Sequence, residues 1–174
     1  MSPNWKVRRI RAGEGPRLRA LRLHALAEAP SAFGSTLARE EAFAEEVWQQ
    51  RAATAAAGAA SVTAVAELAD RWVGMATGLT PEADASAPLG PMLVGMFVDS
   101  GVRRLGIGEA LVESIKTWAR SHGNGRIHLW VVSSNAPALA LYRRCGFQAS
   151  GVTRPLAHTP GLTELEMLAF LPPG

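Results

Sequence analysis

The chain has 174 residues, of which 48% are hydrophobic and 19% are charged, and its formal net charge is +3. This composition is typical of one globular domain that is long enough to bury a core, and it excludes an intrinsically disordered chain. The positive charge is not gathered into a Lys/Arg run, which argues against nucleic-acid binding. The single cysteine, Cys145, excludes an internal disulfide, and no Cys/His spacing indicates a metal site.

Residues 1–10 are polar and basic without an apolar segment, so no secretory leader is predicted. No apolar run approaches the ~18 residues that a membrane-spanning helix requires. We therefore expect a cytoplasmic protein that binds neither a membrane nor a nucleic acid.

The first half of the chain predicts a strand, two helices and a hairpin. Residues 5–10 alternate in polarity, as a strand does, and residues 14–29 carry apolar side chains at helical spacing. A turn over 31–36 leads to a second helix over 37–57, with a break near Phe43. The remaining predicted elements of this half are strands over 61–68 and 71–79, joined by a tight turn at Ala69-Asp70, and a Pro/Ala/Asp-rich loop over 80–90.

The second half alternates strands and helices. It predicts a buried strand over 92–98, a helix beginning at Ile107, a strand over 127–132, and a short helix that ends at Gly146. Two further strands are predicted over 147–152 and 162–170. This order predicts an α/β fold with a mixed sheet in one domain, 1–174, without a second domain or a repeat.

The turn after the strand over 92–98 is the strongest indication of function. Arg103 and Arg104 precede Gly106 and Gly108, and a helix follows at once. A helix N-terminus offers unpaired N–H groups and a favourable dipole to an anion, and glycine lets a phosphate approach the backbone. Neither the Lys-Ser/Thr of a Walker A loop nor the third small residue of a dinucleotide fingerprint is present. The segment therefore predicts a pyrophosphate cradle of another kind.

A second segment follows the strand over 127–132. Asn135 suits the N-cap of a helix, and Pro137 falls in its first turn. Asn135, Ala138 and Tyr142 are spaced so that they lie on one face of that helix.

Together, these two segments resemble the GNAT superfamily of N-acetyltransferases. The acetyl-CoA motif of that family, Arg/Gln-x-x-Gly-x-Gly/Ala, is matched by Arg103, Gly106 and Gly108. Its next motif, Asn-x-x-Ala-x-x-x-Tyr-x-x-x-Gly-Phe, is matched without a gap by Asn135, Ala138, Tyr142, Gly146 and Phe147. The resemblance implies a mixed, mostly antiparallel central sheet of about seven strands flanked by about four helices.

The resemblance also implies acetyl-CoA as co-substrate and assigns residues to it. The pyrophosphate would be bound by Arg103, Arg104 and the backbone N–H groups of Leu105, Gly106, Ile107, Gly108 and Glu109. Backbone groups of Phe97 and Val98 would pair with the pantetheine arm and polarise the thioester, and Asn135 would contact the arm. Tyr142, the only tyrosine, would be the general acid that protonates the departing thiolate.

The general base and the acceptor remain open at this stage. The strand over 92–96 contains no carboxylate, which leaves a water chain or one of Glu28, Glu40, Glu41, Glu67 and His158. The acceptor is expected to be a primary amine of a small molecule or peptide. Its site would be built from the first two helices, the loop over 80–90 and the loop that carries His158, with Phe33 lining the pocket or packing in the core.

Two alternatives accompany this interpretation. The missing strand carboxylate would also suit a non-catalytic module that binds or senses acyl-CoA. The open edge of a mixed sheet would allow two copies of the chain to pair as a homodimer.

Overall fold

The computed structural model describes residues 4–80 and 90–173, and its centre is a seven-stranded sheet in the order β1-β2-β3-β4-β5-β7-β6. The β4–β5 pair is parallel, and the other neighbouring strands within the described ranges are antiparallel. The strands are β1 Trp5–Arg9, β2 Ser61–Leu68, β3 Arg71–Leu79, β4 Met92–Val98, β5 Arg126–Val132, β6 Gln148–Pro155 and β7 Thr163–Phe170.

Helices cover both faces of the sheet. They are α1 Gly15–Glu28, α2 Leu37–Glu41, α3 Glu45–Ala57, α4 Ile107–Ser121 and α5 Ala136–Arg144. Local chemistry accounts for several ends: α1 stops just before Pro30, which disfavours helical geometry in the residue preceding it, and α3 ends at Gly58, which adopts the left-handed conformation. In the described part of the chain, no helix is both long and apolar enough to cross a bilayer.

The core has two parts, one on each face of the sheet. On one face, Leu111, Ile115 and Trp118 of α4 pack on the sheet together with α5. On the other face, Leu21 and Ala25 of α1 pack with α3 against β2, β3 and β4. The helices therefore define an α4/α5 face and an α1/α3 face, and the two faces carry different parts of the site.

The strands β4 and β5 separate shortly after they begin. Only Met92 and Leu93 of β4 pair with β5, at His128 and Leu129. Just beyond, a bulge interrupts the β3–β4 register between Met75 and Thr77, and Gly95 has a φ of 62°. A left-handed residue at a bulge favours glycine, because a side chain there would be strained. The result is a wedge between β4 and β5 in which β4 lacks a partner on one side.

These observations confirm the predicted fold: a mixed, mostly antiparallel sheet of seven strands, with a small set of flanking helices. The break predicted near Phe43 is the gap between α2 and α3. The sixth strand is longer than predicted, since β6 continues to Pro155. Some residues for which the sequence made a prediction lie outside the described ranges. They are residues 1–3, at the N-terminus for which no secretory leader is predicted, and residues 81–89 of the predicted loop. Residue 174 also lies outside these ranges.

A buried carboxylate ties the first three strands to α1. Glu67 of β2 accepts hydrogen bonds from Arg8 at 2.6 Å, from Trp72 at 3.0 Å and from Arg17 at 3.3 Å. The Arg8 guanidinium outweighs the opposing effect of burial and lowers the pKa of Glu67 to about 2. Lowered carboxylate pKa values add stability that is present above the unfolded-state pKa and is lost as the pH falls.

Replacing Glu67 with glutamine is therefore expected to lower the free energy of unfolding by up to about 3 kcal/mol near pH 7. The loss should shrink between about pH 5 and pH 2, where the carboxylate of the parent protein takes up its proton. Urea unfolding of parent and variant across that range measures the effect. Glu46→Gln, which changes an exposed carboxylate on α3, is the control. Equal pH dependence in the parent and in Glu67→Gln would contradict the assignment.

Candidate active site

The predicted anion site lies at the N-terminus of α4. Gly106 is the N-cap residue with a φ of 82°, and no side chain caps the helix. The first intrahelical hydrogen bond runs from Ala110 N to Gly106 O, at 3.1 Å. The N–H groups of Ile107, Gly108 and Glu109 therefore have no acceptor within the helix. This end of α4 has the donors and the dipole that a pyrophosphate requires.

The two predicted arginines have different surroundings. Arg103 Nε donates to Val98 O at 3.1 Å, and its Nη2 lies 3.1 Å from Glu28 Oε1. The Arg103 side chain thus ties the turn to the end of β4 and to α1. Arg104 is exposed and has a φ of 67°, a conformation that non-glycine residues seldom adopt. Of the two guanidiniums, that of Arg104 is the less committed to other residues and is available to a phosphate.

A charge partner offsets the one acidic side chain at this end of α4. Glu109 lies in the first turn, where its carboxylate would repel a phosphate, but Arg144 Nη2 donates to Glu109 Oε1 at 2.8 Å. The Arg144 guanidinium lowers the pKa of Glu109, so the pair persists at neutral pH. The Glu109–Arg144 pair joins α4 to α5 at the mouth of the site. Sequence analysis did not single out Arg144.

Gly108 lies where three elements approach each other. A Cβ atom added to Gly108 would lie 3.2 Å from Leu141 Cδ2 on α5 and 3.5 Å from Met96 Cε on β4. The absence of a side chain therefore allows α5 and β4 to approach the first turn of α4 closely. A cofactor whose pyrophosphate rests on α4 and whose arm enters between β4 and β5 fits this cradle.

Helix α5 begins as the second motif predicts, and its Tyr142 is buried in the α4/α5 core. The Asn135 side chain caps the helix by accepting from Ala138 N at 3.2 Å. The ring of Tyr142 packs edge-on against Phe147 at a centroid distance of 5.9 Å, and the residue is 6% exposed. Burial raises the pKa of Tyr142 well above its usual value, so the hydroxyl stays protonated at neutral pH.

A cavity of about 410 Å³ lies on the α1/α3 face, between α1, α3 and strands β2 to β4. It reaches Val94 and Gly95, at the bulge where β4 leaves β5. Its size lies within the usual range of small-molecule sites. Of the two positions considered for Phe33, lining the pocket or packing in the core, the structure shows the second: Phe33 is 4% exposed and part of the core on this face.

Two of the loops predicted for the acceptor side contact each other. Nε2 of His158, in the β6–β7 loop, lies 2.7 Å from Gly34 O in the loop that follows α1. The turn Pro30–Ala32 also contacts β5. The loops predicted for the acceptor side are thus brought together, apart from residues 81–89, which lie outside the described residues.

The carboxylates proposed as general base are mostly committed to arginines. Glu67 is held by the cluster around Arg8, and Glu28 pairs with Arg103. Burial raises the pKa of Glu40, but hydrogen bonds and charge from Arg22 outweigh it, with Ser35 and Arg51 adding to the effect, so the pKa lies below its ordinary value. Glu41 is exposed on α2. A carboxylate that is stabilised as the anion is a poor proton acceptor.

Glu166 of β7 is a buried carboxylate that sequence analysis did not propose as a base. It is 4% exposed, and no described residue forms a hydrogen bond or ion pair with its side chain. It pairs in register with Trp130 of β5, the residue that follows the last β4–β5 pair. Because Leu165 and Met167 point to the α4/α5 core, Glu166 points to the α1/α3 face. The alternation of apolar residues along β7 predicts the face of the sheet on which Glu166 lies, but only the structure shows that the Glu166 side chain is buried.

The comparisons with known proteins agree with this geometry. The family model described as the acetyltransferase (GNAT) family matches residues 22–147. Human N-acetyltransferase 8 is 34% identical over 87 residues, which cover 50% of this chain but only 38% of the relative. The chain thus spans less than half of that curated relative.

Two solved structures have the same fold. A GNAT-family acetyltransferase from Streptococcus pneumoniae superposes with a TM-score of 0.80 at 17% identity, covering 97% of this chain and 99% of the other. The acetyl-CoA complex of yncA from Salmonella typhimurium gives a TM-score of 0.79 at 15% identity, covering 98% and 96%. At these identities the likeness shows the fold alone.

The anion site on α4 and the Asn135 cap of α5 lie at the two motifs that carry the resemblance. Since the family model covers well over half of the chain, the chain belongs to the acetyltransferase (GNAT) family, a family of N-acetyltransferases. This confirms the resemblance drawn from the two motifs.

Proposed function

We propose that this protein transfers the acetyl group of acetyl-CoA to a primary amine of a small molecule or peptide by direct attack of the amine on the thioester. The observation that carries the proposal is the wedge between β4 and β5, which runs from the N-terminus of α4 to the cavity on the α1/α3 face. Two substrates that approach from opposite faces of the sheet would meet in it. Calorimetric titration with acetyl-CoA, followed by thiol release with a panel of amines, tests the proposal.

The chain's own groups would hold the cofactor at three places. The backbone N–H groups from Leu105 to Glu109, together with Arg104, bind the pyrophosphate, while Arg103 braces the turn. Backbone groups of Phe97 and Val98, on the part of β4 that has no β5 partner, pair with the pantetheine arm and polarise the thioester carbonyl. Asn135 contacts the arm while it caps α5.

Two side chains would move protons. Tyr142 donates its hydroxyl proton to the departing thiolate, a role that suits a buried phenol with no hydrogen-bond partner among the described residues. Glu166 accepts a proton from the acceptor ammonium, a role open to it because its carboxylate is buried and is not paired with a cation among the described residues. Transfer of the ammonium proton to Glu166 through one bridging water molecule would have the same result.

Replacing Glu166 with glutamine is expected to lower kcat/KM about 100-fold at neutral pH. The deficit should shrink as the pH rises toward the pKa of the acceptor amine, about 10, because the amine then loses its proton without help. Initial rates from pH 6 to 10 measure the effect.

Glu164→Gln is the matched control, because Glu164 lies on the same strand and face but is paired with Arg154 at 2.8 Å. A similar loss in both variants, or no loss in Glu166→Gln, would show that Glu166 does not accept the proton.

The alternative of a non-catalytic module that binds or senses acyl-CoA makes a different prediction. Such a module would bind acetyl-CoA but would release no thiol with any amine. The presence of a buried Tyr142 on α5 and of a buried Glu166 next to the last β4–β5 pair supports catalysis. Pairing of two copies remains a separate prediction: β6 is an edge strand with every residue exposed, and the oligomeric state in solution tests it.

A further inference from the structure

The charged side chains that line the cavity on the α1/α3 face indicate what kind of acceptor would bind there. Its charged lining consists of Arg22, Arg51 and Glu40. Glu40 is 2% exposed and lies 2.9 Å from Arg22 Nη2 and 3.4 Å from Arg51 Nη1. Two guanidiniums therefore share one carboxylate, and these three side chains have a net charge of +1.

The Arg22 guanidinium is held in a fixed orientation. Its Nε and Nη2 donate to the two oxygens of Glu40 at 3.0 and 2.9 Å, and its plane stacks on Phe33 at 4.6 Å from the ring centroid. Nη1 has no hydrogen-bond acceptor among the described residues. Of all neighbouring atoms, Nη1 lies closest to the Cβ position of Gly95, at 3.4 Å. A preorganised donor with both N–H bonds unused thus lies at the bulge of β4.

The rest of the polar lining is uncharged and includes one unused donor. Trp48 lines the cavity, and its buried Nε1 has no hydrogen-bond partner among the described residues. A hydroxyl pair, Thr63 and Thr77, lies 2.8 Å apart on the floor formed by β2 and β3. A cavity with unused donors and excess positive charge favours a ligand that brings acceptors and a negative charge.

We propose that the acceptor amine carries a carboxylate, as an amino acid or a similar small molecule does, and that Arg22 Nη1 binds this carboxylate. The inference rests on the proposed function and narrows its substrate class. A guanidinium binds a carboxylate strongly and directionally, whereas the same positive charge repels a polyamine or another polycation. An acceptor bound in this way has its carboxylate on the α1 side of the wedge and its amine toward Glu166.

The test compares matched acceptors that differ only in the carboxylate. The twenty amino acids, their carboxamides and the corresponding decarboxylated amines are assayed with acetyl-CoA and the full chain. For at least one side chain, kcat/KM for the amino acid should exceed that for its carboxamide by at least about 10-fold, the usual scale of a charge-assisted contact.

Two variants assign that preference to Arg22. Arg22→Lys keeps a cation for Glu40 but removes Nη1, and the triple variant Arg22→Met/Glu40→Met/Arg51→Met removes the carboxylate together with both guanidiniums that share it, so that none of the three charges is left unpaired. Both should reduce the preference to near one, chiefly by lowering kcat/KM for the amino acid. A merely structural defect would lower both substrates alike. Arg39→Lys, on the exposed side of α2, is the control.

Each outcome decides between the proposals. Equal rates for acid and amide, transfer to no carboxylated amine, or a preference that persists in Arg22→Lys would each overturn this inference. If acetyl-CoA binds and neutral amines are acetylated, the proposed function still holds. If acetyl-CoA fails to bind in the calorimeter, the proposed function itself fails.

Discussion

Replacement of Tyr142 with phenylalanine is expected to lower kcat about 100-fold while the Kd for acetyl-CoA changes less than about threefold. The hydroxyl is the only atom removed, and the ring keeps its contact with Phe147 at 5.9 Å. The proposed role is confined to the step in which the thiolate leaves, so ground-state binding should be nearly unaffected. Steady-state kinetics and calorimetry on the same preparations separate the two quantities.

The pH dependence provides a second test of Tyr142. Burial raises its pKa, so the phenol remains protonated through the neutral range, and its ionisation should cause no loss of kcat below about pH 10. Leu139→Met, a volume-conserving change on the same helix, is the control for effects on α5 packing. An unchanged kcat in Tyr142→Phe would mean that water or another group protonates the thiolate.

Replacement of Gly108 with leucine is expected to weaken acetyl-CoA binding at least about 100-fold, which corresponds to about 2.7 kcal/mol. The added Cβ would already lie 3.2 Å from Leu141, and the further carbons must occupy the space between α4, α5 and Met96. That space is where the arm would pass from the pyrophosphate into the wedge. The anion site on α4 would remain intact but could no longer be approached.

Calorimetric titration measures this loss, and Gly125→Leu is its control. Gly125 has open space around its Cβ position and no left-handed backbone, and it lies between α4 and β5, away from the anion site. Circular dichroism should show the same fold for both variants. If Gly108→Leu binds acetyl-CoA as the parent does, the cofactor does not pass through this cradle, and the site described here is wrong.

Features decided by short stretches of sequence were predictable. The Gly106 turn and the start of α4, the Asn135 cap of α5 and the Ala69-Asp70 hairpin turn depend on backbone preferences of a few neighbouring residues. Alternation of apolar and polar residues predicted β1 and β7, an apolar run predicted β4, and two motifs in the correct order indicated the family. These signals are local, and the rest of the fold does not override them.

The features that decide the chemistry depend on contacts between distant segments. Arg103 was predicted to bind phosphate, but its guanidinium pairs with Glu28, 75 positions earlier in the chain. Glu166 looks like an ordinary outward residue of an alternating strand until its burial beside the wedge is known. The fixed orientation of the Arg22 guanidinium depends on Glu40, which lies on another helix. The sequence by itself determined the elements and the family and predicted where a cofactor would bind, because these follow from local backbone chemistry. Only the tertiary structure decided which charged groups are paired and which are left free for substrate, because burial and partners are set by the packing of the whole chain.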